Sequence, residues 1–311
     1  MSKLITVLLA MCGSGLLLAQ TGSSVSLDRQ VRNKIRGFQG KVTLFATNLD
    51  TGASYGISPD DPVRTASTIK LAIMAECFYE AQEGKLNWDE KLKLTNDEKV
   101  SGTGVLQDLS DGDEFPVRDL MHLMIMLSDN TATNLILNRI GGDAVNARMA
   151  SLGLSQTRVM RKILRNAAKG QSEGVTSEGA KPENKKYGLG RSSPREMVRL
   201  LTLLYRGQLV SKEASAEMLE VMKHQRDHNC IGRDMKDVPI ASKSGSLDHL
   251  RSDVGIVYSN RGPIAMALTV DDMPEVNYTA DNPGDLLINA LSEILVDRLG
   301  TNAPASPAAA H

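Results

Sequence analysis

Long apolar runs are missing from this 311-residue chain after its first twenty residues, so nothing beyond that point reads as a membrane-spanning helix. Cysteine is scarce. There are three (Cys12, Cys77 and Cys230), too few for a disulfide-built scaffold. Neither sign of charge dominates: 36 basic residues face 37 acidic ones, a formal net charge of -1. That balance leaves no global field to draw in nucleic acid or an anionic membrane surface. The five histidines show no ligand spacing, so no metal or other cofactor is expected. No internal repeat is evident. What is left is a chain with 41% hydrophobic residues, ample for one large core or two lobes sharing an interface.

The N-terminus carries its own pattern. Lys3 precedes an apolar stretch from Leu4 to Ala19, and Thr21 to Ser26 is small and polar. A positive start, a short apolar segment and a small residue near its end make up a secretory leader over residues 1–20, and predict an exported, periplasmic or secreted protein. A membrane anchor is the alternative, but about 15 apolar residues fall short of the roughly 20 needed to span. Lipoprotein processing at Cys12 is disfavoured by the bulky Met11 before it. Export would permit a disulfide between Cys77 and Cys230. Cys77 lies in an apolar helical pattern that suits a buried free thiol, and the pairing stays open.

Further along, Leu27, Val31 and Ile35 mark one face of a helix over 27–36. Residues 41–48 alternate like a strand, Asp50-Thr51-Gly52 is a turn, and 53–57 can pair back. A helix-rich middle follows: 69–83 stopping at Gly84, 117–127, 130–140 stopping at Gly141-Gly142, and 143–152 stopping at Gly153. Residues 162–191, rich in Lys, Gly, Glu and Ser, read as a long surface loop. Ser193-Pro194-Arg195-Glu196 then combines a cap, a first-turn proline and a capping-box glutamate. Helices over 194–204 and 212–223 are followed by strands at 238–244, 254–259 and 263–270, and a helix opening at Asn282-Pro283. Residues 301–311 form a low-complexity tail expected to be disordered. The simplest assembly is one antiparallel sheet built from both ends of the chain and flanked by helices, with an all-α lobe inserted between its second and third strands. The expected division is a discontinuous α/β domain at 26–62 and 194–300, and a helical domain at 63–193.

Three motifs carry chemistry. In Ser67-Thr68-Ile69-Lys70, three-residue spacing at a helix start puts hydroxyl and amine on one face, about 5–6 Å between Cβ atoms. A serine hydroxyl needs a base to become a nucleophile. Lys70, set among Ile69, Leu71, Ala72, Ile73 and Met74, is placed for burial, which lowers a lysine's pKa and lets it act as one. Alone the pattern is weak, arising about once per chain of this size by chance, and a helix cap followed by a surface lysine explains it equally. Ser128-Asp129-Asn130 reads as a cap between consecutive helices. It also supplies a hydroxyl for proton relay (Ser128) and an amide to hold a carbonyl (Asn130). Lys243-Ser244-Gly245 ends a strand-like run with a fixed charge, a hydroxyl and a residue that lets substrate backbone approach; an ordinary strand-end turn is the plainer explanation.

Together, in this order and on these elements, the motifs resemble those of the serine β-lactamases and penicillin-binding proteins, class A most closely. The resemblance extends over about residues 26–300 and includes the run SDNTATNLILNRIGG from Ser128 to Gly142. It implies that Ser67 is acylated, Lys70 serves as base, Ser128 shuttles a proton and Asn130 positions substrate. It also implies that Lys243 and Ser244 bind a substrate carboxylate, beside Gly245. The backbone amides of Ser67 and Ser246 would form the oxyanion hole. Arg251 lies one residue out of register with the carboxylate-binding arginine of many class A enzymes. A one-residue slip on a strand turns a side chain to the other face, and Arg251 is carried as a candidate on that condition. His249 reads as an exposed loop residue.

One departure is informative. Class A enzymes carry a glutamate in the loop before Ser193-Pro194 that activates the deacylating water, and Ile163 falls at its place here. Gly190 falls near the place of the loop-closing Asp. The segment is longer by about a dozen residues, and its Glu173, Glu178 and Glu183 lack the expected spacing. The resemblance therefore implies acyl-enzyme formation with slow hydrolysis of a β-lactam ester. The alternatives are a peptidase or esterase acting on D-Ala-D-Ala stems, and a penicillin- or peptidoglycan-binding protein without turnover. The expected ligand is a small β-lactam or stem-peptide-like molecule and the expected state a monomer.

Overall fold

A computed structural model describes residues 26–164 and 174–300. The leader, the tail, Cys12 and Glu173 lie outside the described residues. The helical turns at 26–35 (α1) bury Leu27 and Val31, on the face that the spacing predicts. β1 (Lys41–Asn48) and β2 (Ser54–Ile57) follow as an antiparallel pair. β8 (Ile240–Leu247), β9 (Leu250–Ser259) and β10 (Gly262–Asp271) come from the other end of the chain. β10 pairs with β1, so the five strands run in the order β2-β1-β10-β9-β8 and every neighbour is antiparallel. The sheet thus joins the two ends of the chain, and β8 lies at its edge.

Between β2 and β8 come the helices α2 (Lys70–Gln82), α3 (Val117–Met126), α4 (Asn130–Ile140), α5 (Gly142–Ser151), α6 (Pro194–Tyr205) and α7 (Lys212–Lys223). Several of their starts are capped as the sequence implies. Ser193 Oγ accepts from Glu196 N with Pro194 in the first turn, and Asp129 accepts from Ala132 N. α8 (Pro283–Leu299) closes the described chain.

Each sheet face has its own apolar packing. Ala241, Val254, Ile256, Ala265 and Ala267 face the helical lobe and join a cluster with Leu71, Met74, Leu120 and Leu201. Leu44, Val257, Met266 and Leu268 face α1 and α8, against Val31, Leu287, Ile288 and Leu291. Among the described residues no helix is long and apolar enough to cross a membrane. Cys77 and Cys230 are buried and free.

The segment read as one long loop is more ordered than its composition suggests. β7 (Gly190–Ser192) pairs with both β3 (Val63–Arg64) and β6 (Arg158–Val159), and residues 182–187 make a short 3-10 helix. A second small hairpin joins β4 (Lys91–Lys93) and β5 (Glu114–Pro116). Two- and three-residue strands carry no readable period, which is why sequence reasoning missed them.

Candidate active site

A 3-10 turn over Ala66–Ile69 leads directly into α2. Ala66, Thr68, Ile69 and Lys70 are buried while Ser67 is half-exposed, so the hydroxyl of Ser67 is the reachable one in this turn. Ala66 holds a left-handed φ of 46° and Ser128 one of 55°. Such backbone costs energy for non-glycine residues and persists where surrounding structure enforces it.

Lys70 is 0% exposed. Its Nζ donates to Ser128 O at 2.8 Å, Ser128 Oγ at 3.2 Å and Asn130 Oδ1 at 3.2 Å. Burial holds its pKa well below the ordinary lysine value, and the positive charge of Lys243 pushes the same way, against the opposing pull of Asp129. A lysine in that condition loses its proton readily and can take one from a hydroxyl. Ser67 Oγ is not among the three partners of Nζ. Catalytic hydrogen bonds are often long before a substrate arrives, and three-residue spacing across the 3-10 turn into Lys70 sets the two residues on one face of that turn.

Asp129 explains why the three-residue motif stands where it does. Its carboxylate accepts from Ala132 N at 2.8 Å, Val105 N at 2.7 Å and Leu106 N at 3.0 Å. It therefore caps α4 and ties residues 101–106 against the site. Gly104, with φ +112°, sits so close that a Cβ there would meet the Asp129 carboxyl at 2.3 Å. Asn130 completes the clip by donating Nδ2 to Ser101 O at 3.1 Å, which turns its Oδ1 toward Lys70.

The third motif approaches from β8. A Cβ built on Gly245 would lie 2.8 Å from Ser67 N and 2.9 Å from Thr65 O; any side chain there would force two backbones apart. Alternation along the strand places Lys243 with Gly245 on that face. Ser244 and Ser246 share the opposite one, across from Asp253 and Arg251 of β9. Lys243 is 0% exposed and donates to Ser244 O at 2.8 Å and Gln225 Oε1 at 3.3 Å. Burial brings its pKa down to about 8, opposed by the charges of Asp253 and Asp227. Ser246 is exposed at the strand's end.

Arg251 does not join the group. It lies on the face toward α8, 2% exposed, where Nε meets Asp285 Oδ2 at 3.3 Å and Nη1 donates to Leu247 O and Leu250 O. Nη2 donates to Asn277 O, and Tyr278 lies against the guanidinium. The one-residue slip has the consequence strand geometry requires, and the expected substrate contact is replaced by a structural one. His249 is exposed, with Nδ1 2.7 Å from Met273 O.

Sequence reasoning missed three contributors. Gln225 takes Ser244 N (2.7 Å) and Lys243 Nζ on its Oε1 and gives Nε2 to Ser242 Oγ at 2.8 Å. Asp227 Oδ2 receives Ser244 Oγ at 2.8 Å. Asn134, one turn beyond Asn130 on α4, holds the backbone of Ile163 from both sides, Ile163 N to Oδ1 at 2.9 Å and Nδ2 to Ile163 O at 2.8 Å. Only the Asn134 signal was present in sequence, as part of the Ser128–Gly142 run. Of the acids in the longer loop, Glu178 is engaged by Lys181 at 2.6 Å and Asn184 at 3.2 Å, and Glu183 is exposed.

A hydroxyl at a helix start, a desolvated lysine one turn on and a second hydroxyl on that lysine form an acyl-transfer arrangement. Comparison with known proteins agrees. Residues 26–299 match the β-lactamase enzyme family, and the chain belongs to it. It is 23% identical to a β-lactamase of Bacillus licheniformis, over 97% of this chain and 96% of that protein. The crystal structure of a β-lactamase from Sphaerobacter thermophilus superposes with a TM-score of 0.74 at 27% identity, covering 88% of this chain and 97% of that one. A point variant of PBP-A, solved as an acyl-enzyme complex with penicillin G, superposes at 0.73 with 26% identity, covering 88% and 96%. The protein is a serine β-lactamase-like hydrolase.

Proposed function

We propose that this hydrolase opens β-lactams through an ester on Ser67 and releases that ester slowly. Lys70 Nζ accepts the Ser67 proton as Oγ attacks the lactam carbonyl, and the negative charge on the carbonyl oxygen meets the backbone amides of Ser67 and Ser246. The C–N bond then breaks, and Lys70 returns its proton through the Ser128 hydroxyl to the departing nitrogen. Water must next cleave the ester and restore Ser67. What supports the slow step is Ile163, whose backbone Asn134 holds and which the resemblance aligns with the water-activating glutamate of class A enzymes. A water with no carboxylate beside it stays protonated at neutral pH and attacks slowly.

The likeness to PBP-A favours a second reading, in which the same groups process D-Ala-D-Ala stems and penicillin is held as a lasting adduct. Nitrocefin turnover with intact-mass analysis separates the two. A burst followed by slow repeated turnover supports the first. One stoichiometric adduct with no turnover supports the second. Adduct formation that survives Ser67→Ala would overturn both. Export with removal of residues 1–20 belongs to the same proposal, and the N-terminal sequence of protein recovered outside the cytoplasm tests it.

A further inference from the structure

The loop over residues 101–105 is held by the second motif. Asn130 N donates to Thr103 O at 3.0 Å, and Asn130 Nδ2 to Ser101 O at 3.1 Å. Asp129 takes the amides of Val105 and Leu106. Gln107 Nε2 braces the loop by donating to Gly102 O at 2.9 Å and Gly104 O at 3.3 Å. A loop fixed this firmly delivers one side chain to the site. Thr103 Oγ1 donates to Ser128 O at 2.9 Å. Its other neighbour, Asn130 Oδ1 at 3.5 Å, is also an acceptor, and a single hydroxyl proton goes to the shorter contact.

The same carbonyl oxygen takes Lys70 Nζ at 2.8 Å. A lysine ammonium has three donors and no acceptor. Ser128 O, Ser128 Oγ and Asn130 Oδ1 would satisfy all three, and in that form the group cannot take a proton. The neutral amine needs only two acceptors and keeps a lone pair for a hydroxyl. Thr103 bears on this balance. The positive end of its O–H dipole points at the oxygen on which the ammonium would lean, so the hydroxyl weakens that oxygen's hold on the charged form. Two charges act on Lys70 as well: Lys243 of β8 works in the same direction as Thr103, and Asp129 before α4 opposes it. Thr103 itself is exposed, so its hydroxyl can be removed without opening the core.

We propose that Thr103 is a positioning residue for acylation: by sharing the Ser128 carbonyl with Lys70, its hydroxyl keeps the amine ready to take the Ser67 proton. The proton leaves Ser67 Oγ for Lys70 Nζ as Oγ bonds to the carbonyl carbon, and Thr103 keeps its own proton throughout. It acts through Lys70 and Ser128 rather than on the substrate. This rests on the acyl-enzyme reading above and adds a residue to its first step.

The test is the rate of Ser67 ester formation with penicillin G, followed by intact mass on the whole protein over about pH 5 to 9. That rate rises with pH as Lys70 loses its proton. Thr103→Val keeps the side-chain shape and removes the hydroxyl. Its midpoint should move up by about half to one pH unit, the scale of one hydrogen bond. The rate at neutral pH should then fall about three- to tenfold, with the high-pH plateau within about twofold of wild type. Thr103→Ser should restore the wild-type profile. A merely structural role lowers the rate at every pH and leaves the midpoint in place. An unmoved midpoint therefore overturns the inference, as does Thr103→Ser behaving like Thr103→Val. Thr103→Ala gives the same reading should valine there prevent folding. Those outcomes leave the Ser67 ester intact. No adduct in wild type at any pH would instead overturn the acyl-enzyme reading and this inference with it.

Discussion

At Lys70 the chemistry depends on a charge that the surroundings resist. The side chain is fully buried, within the field of Lys243, and its hydrogen bonds to Ser128 and Asn130 orient it without neutralising it. Lys70→Arg keeps the cation and removes the ability to lose a proton. The variant should therefore lose about 10²–10⁴-fold in acylation rate, the usual scale for a general base. Intact-mass labelling checks it, and near-native labelling would reduce Lys70 to a structural cation. Asp253 poses the converse problem. It is buried beneath Ser244 with Oδ1 unpartnered, and burial pushes its pKa up to about 8. A carboxyl raised in this way contributes stability that is fully present below its unfolded value and is lost as pH rises through about 8. Asparagine mimics the protonated form and does not titrate. Relative to wild type, Asp253→Asn should gain on the order of 2–3 kcal/mol between pH 6 and pH 9, measured by urea unfolding at both pH values. A pH-independent difference would place Asp253 in its charged form throughout.

The elements decide which residues of the loop lie against the site. α4 presents Asn134 one turn beyond Asn130, and its amide grips the backbone of Ile163. The side chain at 163 is thus set by a helix that also carries part of the site. Ile163→Glu should place a carboxylate where a deacylating water needs it and shorten the lifetime of the penicillin adduct by about 10²-fold or more. Chase experiments followed by mass spectrometry measure that lifetime. Glutamine variants of Glu178 and Glu183 should leave it unchanged. Glu178 is taken by Lys181 and Asn184, and Glu183 stands exposed on its 3-10 turn. If wild type shows no burst and one glutamine variant, Glu173→Gln included, arrests at the adduct, then the longer loop supplies the base and slow deacylation is wrong.

Across the whole molecule, one apolar cluster runs from the helical lobe into the sheet. Leu120 and Met121 of α3 share it with Val254 and Ile256 of β9, so the lobe and the sheet face have no independent interiors. Leu120→Ala, at a site with no exposure, should cost about 2–5 kcal/mol. The midpoints read by far-UV circular dichroism and by loss of Ser67 labelling should fall together in urea, and separated midpoints would show the lobes unfolding apart. The antiparallel sheet from both chain ends, the inserted helices, most of the helix stops and the burial of Lys70 were legible in the sequence. Each rests on periodicity, capping or spacing within a few residues, where covalent geometry fixes the outcome. The meeting of Lys70 with Ser128 and Asn130, 58 and 60 residues away, could be expected only through resemblance. Asp227 on Ser244, Gln225 on Lys243, Arg251 turned to α8 and Asn134 on Ile163 were decided by the tertiary structure alone. Those contacts join segments with no local pattern in common, and which side chain meets which is settled by how lobe, sheet edge and loop pack together.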